Sequence, residues 1–451
     1  MSAAAPVTRA RRLDSPLRRF GRALGGARPR WLELALLAFP VLLLATGLTT
    51  IALAGGNEPT QVDRGLVGAM AVALLVAHLW LTVRYPRADQ VLLPTAAMVA
   101  ALSIIMVARL QPDLAVRQAT WVGIGTVAML GTLMMLPRVG WLRQYRYTWA
   151  ALGLLLVLST FLFGVDPNGS GARLWLGFGG VYFQPSEILK VLLVVFLAAY
   201  LDDYRELLTL SRLRLGPLSL PPLPYLTPLL LMLAIALGSV VLQRDLGAAL
   251  LLYGVFLSML FVASGRLSYV LGGALTFVAG ASILYQLFSV VKVRVDTWLD
   301  PWATATTTGY QLVQGLTALA AGGLLGTGLT YGYPGYVPAV HTDFMIAAIG
   351  EEMGLAGTLG VIGLYVVLVH RGLRIAMLSR DSFAGLLAAG LTSVLAIQAL
   401  VILGGTLKLI PLTGVTLPLL SYGGSSVLAN FVLLGLLLAV SGEPQRPAHA
   451  A

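Results

Sequence analysis

The strongest candidate for chemistry is Asp343, which lies between a long loop and an apolar run that begins at Phe344. The loop, residues 289–342, also contains Arg294 and ends in His341. A carboxylate beside basic groups can accept a proton or hold a cation during group transfer. A helix N-terminus at this point would lower the pKa of Asp343 and keep it ionised. Helix capping alone would also explain this aspartate, but capping does not require the charged and aromatic loop, so we predict a functional role.

Glu187 and Lys190 form a second candidate pair, three residues apart at the start of an apolar run. On a helix this spacing places both side chains on one face, where they can form an ion pair. The preceding Gln184-Pro185-Ser186 is typical of a helix entry. Ionisable side chains at membrane depth are costly and therefore indicate function. A capped helix end with an internal ion pair is the structural alternative, and the sequence leaves both open.

Three further acidic residues have weaker patterns around them. Glu351 and Glu352 follow Asp343 by about 12 Å along the same predicted helix, at 1.5 Å per residue. A packing role, with arginine or backbone partners, fits them as well as catalysis does. Asp245 lies in a tight turn beside Arg244. Our prediction there is an arginine–aspartate pair that closes the turn.

Several common reaction centres are missing from the sequence. The glycine-rich stretch 322–328 is not followed by Lys-Ser/Thr and so is not a phosphate-binding P-loop. The chain has no cysteine, and its four histidines form no His-x-x-x-His pair, which excludes thiolate chemistry and argues against zinc. An outward-facing enzyme without nucleotide needs an activated substrate. A lipid-linked sugar pyrophosphate meets this need, because its leaving group stores the driving force and arginines can neutralise it.

The elements that carry these residues are membrane spans. Hydrophobic residues make up 58% of the chain and charged residues 11%, whereas a soluble globular chain has about 25% charged residues. Apolar runs of membrane length recur along the sequence. We predict an all-α polytopic membrane protein with about twelve transmembrane helices, at residues 32–54, 65–83, 91–108, 119–136, 148–164, 185–201, 226–242, 246–264, 267–288, 344–369, 383–403 and 418–440.

The positions of lysine and arginine predict the orientation of the spans. With the N-terminus in the cytoplasm, 21 of the 30 basic residues lie in inside segments, as the positive-inside rule requires. Both termini are then cytoplasmic, and the informative polar loops, 166–183, 289–342 and 404–417, face outward. The net charge of +11 reflects this topology and contact with anionic lipids, and its even spread argues against binding of nucleic acid.

A series of motifs in a single order makes the chain resemble the SEDS family of FtsW, RodA and SpoVE-like proteins. The resemblance covers about residues 91–440, and its motifs are Arg173-Leu174-Trp175-Leu176 with Phe183 to Lys190, Asp245-Leu246-Gly247, Leu299-Asp300-Pro301 with Gly309-Tyr310-Gln311, His341 to Phe344, Gly350 to Gly354, and Pro418 to Ser426. Simpler members of the family have ten spans. The expected domains are a basic cytoplasmic tail (1–31), two extra N-terminal spans (32–90), a SEDS-like core (91–440) and a cytoplasmic tail (441–451).

The resemblance implies a peptidoglycan glycosyltransferase that polymerises lipid II on the outer face of the bacterial cytoplasmic membrane, for division or elongation, and releases undecaprenyl pyrophosphate. It implies Asp343 as the catalytic residue and a class B penicillin-binding protein, a transpeptidase, as the partner. Whether Asp343 acts as a general base or as a ligand to Mg²⁺ or Mn²⁺ stays open. The residues expected around the substrate are Arg117, Arg173, Gln184, Ser186, Glu187, Lys190, Arg294, Gln311, His341, Thr342, Ser421 and Ser425.

Other functions fit the composition alone. A flippase for the lipid-linked precursor should have functional polar residues facing both sides, often in repeated halves, whereas here the rich loops face outward only. A non-catalytic scaffold of the cell-wall machinery would not need Asp343. A polymerase or ligase for other polyprenyl-linked sugars is a nearer alternative, and the motifs at 184–190 and 421–426 argue against it.

Overall fold

The computed structural model describes residues 30–135, 139–167, 169, 171–206, 213–215, 218–220 and 223–443. The predicted cytoplasmic tails, residues 1–31 and 441–451, therefore lie mostly outside the described residues. The segment 202–223, which is Pro-rich and which we predict from the sequence to be a linker on the inside, lies partly outside them. Within it, two short strands, β4 (Leu213–Leu215) and β5 (Leu218–Leu220), form an antiparallel pair.

Helices dominate the described chain, as the composition predicts. Ten of them are long and apolar enough to cross a membrane, which makes this a multi-pass membrane protein. Two further helices coincide with predicted spans but are not among these ten: α7 carries four charged residues, and in α8 the apolar stretch whose side chains are described is Thr227–Leu242. The count of twelve spans thus stays a prediction. The helices are α1 (Trp31–Ala54), α2 (Gln61–Arg84), α3 (Leu92–Leu110), α4 (Pro112–Met135), α5 (Gly140–Gln144), α6 (Arg146–Phe163), α7 (Pro185–Asp203), α8 (Leu223–Leu242), α9 (Leu246–Ser264), α10 (Leu267–Leu287), α11 (Ser289–Leu299), α12 (Tyr310–Gly322), α13 (Met345–Leu378), α14 (Ser382–Thr406) and α15 (Gly424–Gly442).

The centre of the bundle consists of helices that are apolar on every side. In α3 and α15, 83% of the spanning window is buried by protein, and in α14 78%, whereas in α10 the figure is 6%. A helix that is hydrophobic all round is suited to such a central place. Helix α10 therefore lies at the periphery, and the central helices form the scaffold on which the outer loops rest.

A small antiparallel sheet precedes α7 and was not part of the all-α prediction. Strands β1 (Gly164–Val165), β2 (Trp175–Phe178) and β3 (Val181–Phe183) pair in sequence order. The turn between β2 and β3 is Gly179-Gly180, with φ of 58° and 81°. Two positive φ values suit the tight hairpin turn that twists with its strands. The hairpin fixes the point at which the chain enters α7.

Buried ionic contacts fix α1 and α2 on the core. The Arg30 guanidinium, which is 1% exposed, pairs with Glu33 and donates to the carbonyls of Ala88 (2.7 Å) and Asp89 (3.0 Å). Glu33 also contacts Nδ1 of His78 on α2 at 2.7 Å. Asp89 in turn pairs with Arg371 on α13. Charges at such depth must be paired, so this network links the N-terminal helices to the core at a defined position.

Helix α13 is broken at Gly354, where φ is 66° and ψ is −166°. A Cβ built on Gly350 would lie 3.3 Å from Oγ1 of Thr358, although eight residues of straight helix span about 12 Å. The chain therefore folds back on itself at the break. Residues 355–378 alone span about 36 Å, which is enough to cross the bilayer. The short segment 345–353 is thus not a continuation of this span. The predicted tenth span, 344–369, is broken at Gly354, and the part that crosses the bilayer begins at residue 355.

The loop after α12 supplies the hydrogen bonds that the broken helix lacks. Backbone groups at such a break must be paired, since nothing in the bilayer can replace water as a partner. Four bonds join the loop to the two sides of the break: Leu355 N to Gly323 O (2.9 Å), Ala356 N to Leu324 O (3.1 Å), Thr327 N to Glu351 O (2.9 Å) and Gly328 N to Glu352 O (3.0 Å).

The side chains of Glu351 and Glu352 hold the same loop in place. Oε1 of Glu351 accepts from the backbone N–H of Tyr333 at 2.7 Å. Oε1 of Glu352 accepts from Nε of Arg109 at 2.9 Å, and Arg109 also donates to Gly332 O at 3.0 Å. Of the two interpretations that the sequence leaves open, these contacts support a packing role for both glutamates.

The break predicts a large effect of a small substitution. Gly354→Ala should destabilise the protein by about 2 kcal/mol or more, because the conformation is accessible essentially to glycine alone and the new Cβ would overlap Leu324 and Gly326. Thermal unfolding in detergent should show a lowered midpoint. The matched control is Gly360→Ala on the same helix, where a Cβ has open space and should be neutral or slightly stabilising. Equal midpoints for the two variants would contradict the break.

Candidate active site

The segment between α14 and α15, residues 411–426, is the framework of the site. Its carbonyls, amides and hydroxyls bind side chains and backbone from four other parts of the chain. These contacts are Arg294 Nη1 to Thr413 O (2.9 Å), Gln398 Nε2 to Thr416 O (2.8 Å), Tyr422 N to His341 O (2.9 Å), Gln184 N to Ser425 Oγ (2.9 Å) and Ser421 Oγ to Thr342 O. The segment thereby brings α7, α11, α14 and the start of α13 together at one end of the bundle.

Asp343 lies just before α13 and does not cap it. The helix begins at Met345, and its N-cap residue Phe344 makes no side-chain capping bond. Burial raises the pKa of Asp343 from its usual 3.8 to about 6, and the neighbouring Thr342 hydroxyl and the charge of Arg294 offset this only partly. The predicted lowering of this pKa by a helix N-terminus was therefore wrong, because desolvation of the carboxylate outweighs it.

Arg294 and Asp343 face a common gap beside Gly414. A Cβ built on Gly414 would lie 3.7 Å from Nη2 of Arg294 and 3.9 Å from Oδ2 of Asp343. The backbone there is left-handed, with φ of 72°, a conformation that favours glycine. The gap is open because residue 414 has no side chain, and a substrate oxygen placed in it can contact both the guanidinium and the carboxylate.

Asp245 is a second half-buried carboxylate at the site. It caps α9 by accepting from Ala248 N at 3.0 Å, and it accepts from Gln184 Nε2 at 3.1 Å and Ser186 Oγ at 3.4 Å. The predicted turn-closing pair with Arg244 was wrong: Arg244 is exposed, and buried donors from α7 take its place. Two residues expected around the substrate, Gln184 and Ser186, thus serve to hold Asp245.

Arg294 lies between the two carboxylates. Burial lowers the pKa of Arg294, while the charges of Asp245 and Asp343 favour its protonated form. Burial also raises the pKa of Asp245, and the charge of Glu187 adds to this rise. A shared guanidinium lets two carboxylates occupy one desolvated site, because each is partly neutralised. The predicted placement of Arg294 next to Asp343 is supported by this geometry.

The predicted ion pair of Glu187 and Lys190 is present at the start of α7. Nζ of Lys190 lies 2.5 Å from Oε2 of Glu187 and also donates to Oε1 of Gln398 at 2.8 Å. Lys190 is 2% exposed, so its charge depends on these partners. Gln398 passes the connection on to Thr416 O at 2.8 Å. Through Gln398, the ion pair of Glu187 and Lys190 therefore helps to hold the 411–426 segment in place, and it also adds charge near the site.

Ser421 and Ser425 act on the backbone around Asp343. Oγ of Ser421 donates to Thr342 O and accepts from Leu417 N at 3.0 Å. Oγ of Ser425 accepts from Gln184 N at 2.9 Å. Both hydroxyls are buried and are already engaged by the protein. These contacts assign the two serines to positioning.

His341 and Thr342 complete the turn before Asp343. The His341 ring lies 5.8 Å from the ring of Tyr422, and burial lowers the pKa of His341, which favours a neutral imidazole at neutral pH. Oγ1 of Thr342 donates to Ala339 O at 2.9 Å. Both residues thus lie in the immediate surroundings of the carboxylate, and their contact with substrate stays a prediction.

Three residues expected around the substrate have other surroundings. Nη2 of Arg117 donates to Gly180 O at 2.8 Å and so fixes the hairpin turn. Nε2 of Gln311 donates to Pro338 O at 2.8 Å. Arg173 is exposed and makes no side-chain hydrogen bond or ion pair with another described residue. Its guanidinium is therefore available to a ligand.

Some contributors to the site were not predicted from the sequence. Gln398 is a polar residue inside an apolar run, and that pattern could have identified it, since buried polar groups need partners. Thr416 and Gly414 gave no such signal. Thr416 contributes its backbone carbonyl, and Gly414 contributes the space left by its missing side chain. Neither role can be recognised from the residue type alone.

The described residues do not form a divalent cation site by themselves. No group of three or more His, Asp or Glu side chains among them is close enough to hold a metal ion. Mg²⁺ keeps several of its waters and is commonly held by only one or two carboxylates together with substrate phosphates. Asp343 as a ligand to Mg²⁺ or Mn²⁺ therefore stays an open alternative to Asp343 as a general base.

The sequence matches the model of a known family over most of its length. The family is FtsW/RodA/SpoVE, described as cell cycle protein, and the match covers residues 83–446. It begins at the end of α2, so α1 and nearly all of α2 precede it. That the first two helices are additions to a ten-span core stays a prediction.

Relatives with this architecture have names that specify an activity. The peptidoglycan glycosyltransferase RodA of Mycobacterium tuberculosis (strain H37Rv) is 40% identical over 427 residues, which cover 92% of this chain and 91% of that protein. The probable peptidoglycan glycosyltransferase FtsW of Geobacter metallireducens is 35% identical over 327 residues, 72% of this chain and 84% of that protein. Residues 83–451 make up about 82% of this chain, so the alignment with the mycobacterial protein must extend into the N-terminal helices.

Solved structures have the same fold. One is a chain from a study of how a peptidoglycan synthase complex coordinates polymerization and crosslinking; it has a TM-score of 0.67 and 29% identity, over 78% of this chain and 97% of that chain. Another is the crystal structure of the rod shape determining protein RodA of Thermus thermophilus, with a TM-score of 0.57 and 27% identity, over 78% of this chain and 96% of that chain. The chain belongs to the FtsW/RodA/SpoVE family, the SEDS peptidoglycan glycosyltransferases, and is an enzyme of that class.

Proposed function

We propose that this chain polymerises lipid II, the undecaprenyl-pyrophosphate-linked disaccharide peptide, on the outer face of the cytoplasmic membrane. A class B penicillin-binding protein is the proposed partner that cross-links the product. The observation that carries the proposal is the half-buried Asp343 carboxylate with its raised pKa, which faces Arg294 across the gap at Gly414. The names of the relatives, and the synthase complex among the similar structures, support the substrate and the partner.

Asp343 acts as the general base in this proposal. The acceptor 4-hydroxyl enters the gap, Asp343 takes its proton, and the oxygen attacks the anomeric carbon of the growing chain. The bond from that carbon to the pyrophosphate oxygen breaks, and undecaprenyl pyrophosphate leaves with the bonding electrons. Asp343 then releases its proton to water. A carboxyl group with a pKa of about 6 suits this role, since a general base works best with a pKa near the operating pH.

Cationic side chains stabilise the charge that develops on the leaving group. Arg294 borders the gap, and the exposed guanidinium of Arg173 can reach phosphate oxygens bidentately. Lys190 is enclosed by Glu187 and Gln398, so its contribution is the position of the 411–426 segment. In this proposal Asp343 is the base, Arg294 and Arg173 contact the pyrophosphate, and the ion pair of Glu187 and Lys190 supports the segment that holds the site.

Removing the carboxylate of Asp343 should abolish polymerisation, while the protein still folds and inserts into the membrane. Purified Asp343→Asn with its partner, given lipid II, should form glycan strands at least about 100-fold more slowly, the usual effect of losing a general base. Membrane insertion and partner binding should persist, because the amide keeps the shape of the side chain. A scaffold function instead requires that cells with this variant grow normally. Wild-type polymerisation by Asp343→Asn would reject the assignment.

The pH dependence of the reaction should follow the titration of Asp343. The base must be ionised, so kcat/KM should fall about tenfold per pH unit below an apparent pKa of about 6. Initial rates of lipid II polymerisation between pH 4.5 and 8 measure this. An acid limb centred near 4, the usual value for an exposed aspartate, would contradict the desolvated base.

The gap at Gly414 should tolerate no side chain. Gly414→Ala places a methyl group between Arg294 and Asp343, and the polymerisation rate should fall at least tenfold. The control is Gly265→Ala, at the end of α9 away from these residues. It has a similar φ of 67° and no atom within 4 Å of a built Cβ, so it shares the backbone strain of about 1 kcal/mol without the blocked gap. If both variants keep wild-type rates, the gap is not the acceptor position.

A further inference from the structure

The loop that packs against the break in α13 exposes an unusual amount of apolar surface. Leu324 and Leu325 are 68% and 77% exposed, and Tyr331, Tyr333 and Tyr336 are 73%, 73% and 66% exposed. Large apolar side chains grouped in this way mark a surface that contacts another apolar phase. We define residues 323–336 as the site-end loop.

The leucines of the site-end loop continue the lipid-facing side of α13. Leu324 O accepts from Ala356 N, in the first turn of the spanning segment 355–378. On that segment Leu355 and Leu359 are 49% and 55% exposed, as expected of side chains that face lipid in a membrane span. The exposed leucines of the loop therefore lie beside the end of this lipid-facing stripe.

A second contact places Tyr331 and Tyr333 at the membrane depth where the spanning helix α3 ends. Arg109, next to the last residue of the spanning helix α3, donates to Thr330 O at 3.3 Å and Gly332 O at 3.0 Å. The end of a span marks the boundary between hydrocarbon and headgroups. Tyr331 and Tyr333 flank the bonded carbonyl of Gly332, and tyrosine is enriched at that boundary because its ring is apolar and its hydroxyl polar.

The chemistry of the site-end loop suits lipid better than a protein partner. Residues 323–336 contain no charged side chain, so the loop offers no charge pattern by which a protein could be selected. Its backbone at the break is bonded to α13, which is the condition for irregular backbone at membrane depth. Both properties are needed by a segment that lies in a leaflet.

We propose that the site-end loop is embedded in the membrane interface, with Leu324 and Leu325 among the acyl chains and Tyr331, Tyr333 and Tyr336 at the headgroups. The occupant of this surface is the phospholipid leaflet. Because the same loop is bonded to residues 351 and 352 of α13, embedding it fixes the depth of the segment that begins just after Asp343. The leaflet thereby sets the height of the carboxylate relative to a lipid-linked substrate.

Single cysteines test this directly, since the chain has none of its own. Leu325→Cys, Leu324→Cys and Tyr333→Cys are labelled with a nitroxide in full-length protein in lipid nanodiscs. Leu359→Cys serves as the lipid reference. Thr306→Cys, on the exposed turn between α11 and α12, serves as the water reference. The measurement is the collision rate of each label with oxygen, which concentrates in acyl chains, and with a water-soluble nickel chelate.

The labels at 324 and 325 should match the label at 359, with high oxygen and low nickel collision. The label at 333 should fall between the two references. Nickel collision at 324 and 325 equal to that at 306 would place the loop in water and overturn the proposal. Low collision with both reagents would also overturn it, because protein would then cover the surface. Glycan synthesis within twofold of wild type shows that each labelled variant is folded.

Discussion

The desolvation of Asp343 is the constraint on which the organisation of the site end depends. A buried carboxylate is costly unless charge and hydrogen bonds compensate. Here the compensation is Arg294, which Asp343 shares with Asp245. Neither carboxylate is fully neutralised, so both keep a raised pKa. The arrangement raises the proton affinity of a half-buried carboxylate, which suits the proposed role of Asp343 as a general base.

Positioning this group requires that segments far apart in sequence meet. The 411–426 segment brings them together mainly through its backbone carbonyls and serine hydroxyls, which have fixed directions once the segment is folded. The buried pair of Glu187 and Lys190 supports it through Gln398. Side chains locked by such contacts hold a site within the narrow tolerance that catalysis needs. The exposed Arg173 is the exception, and its exposure suits the proposed contact with a large lipid-linked substrate.

The broken helix serves the same purpose at the level of the backbone. A straight α13 would carry Asp343 away from the span along one axis. The break at Gly354 folds segment 345–353 back against residues 355–378. Hydrogen bonds from residues 323–328 replace those that the helix loses at the break. At the opposite end of α13, Arg371 joins Asp89 and, through the adjacent backbone, Arg30. The N-terminal helices are thus attached to the same helix that carries the site.

The sequence by itself determined the membrane class, the positions of the long helices, the pairing of Glu187 with Lys190 and the choice of Asp343 as the candidate for chemistry. These follow from local patterns, because apolar run length, three-residue spacing and a conspicuous loop are all visible along the chain. Only the tertiary structure decided that Asp343 has a raised pKa, that Asp245 is held by α7 instead of pairing with Arg244, and that Gly414 leaves a gap. The physical reason is that desolvation and close approach depend on which distant segments surround a residue. The same holds for the break at Gly354: glycine permits the conformation, but the loop that pairs the freed backbone groups selects it.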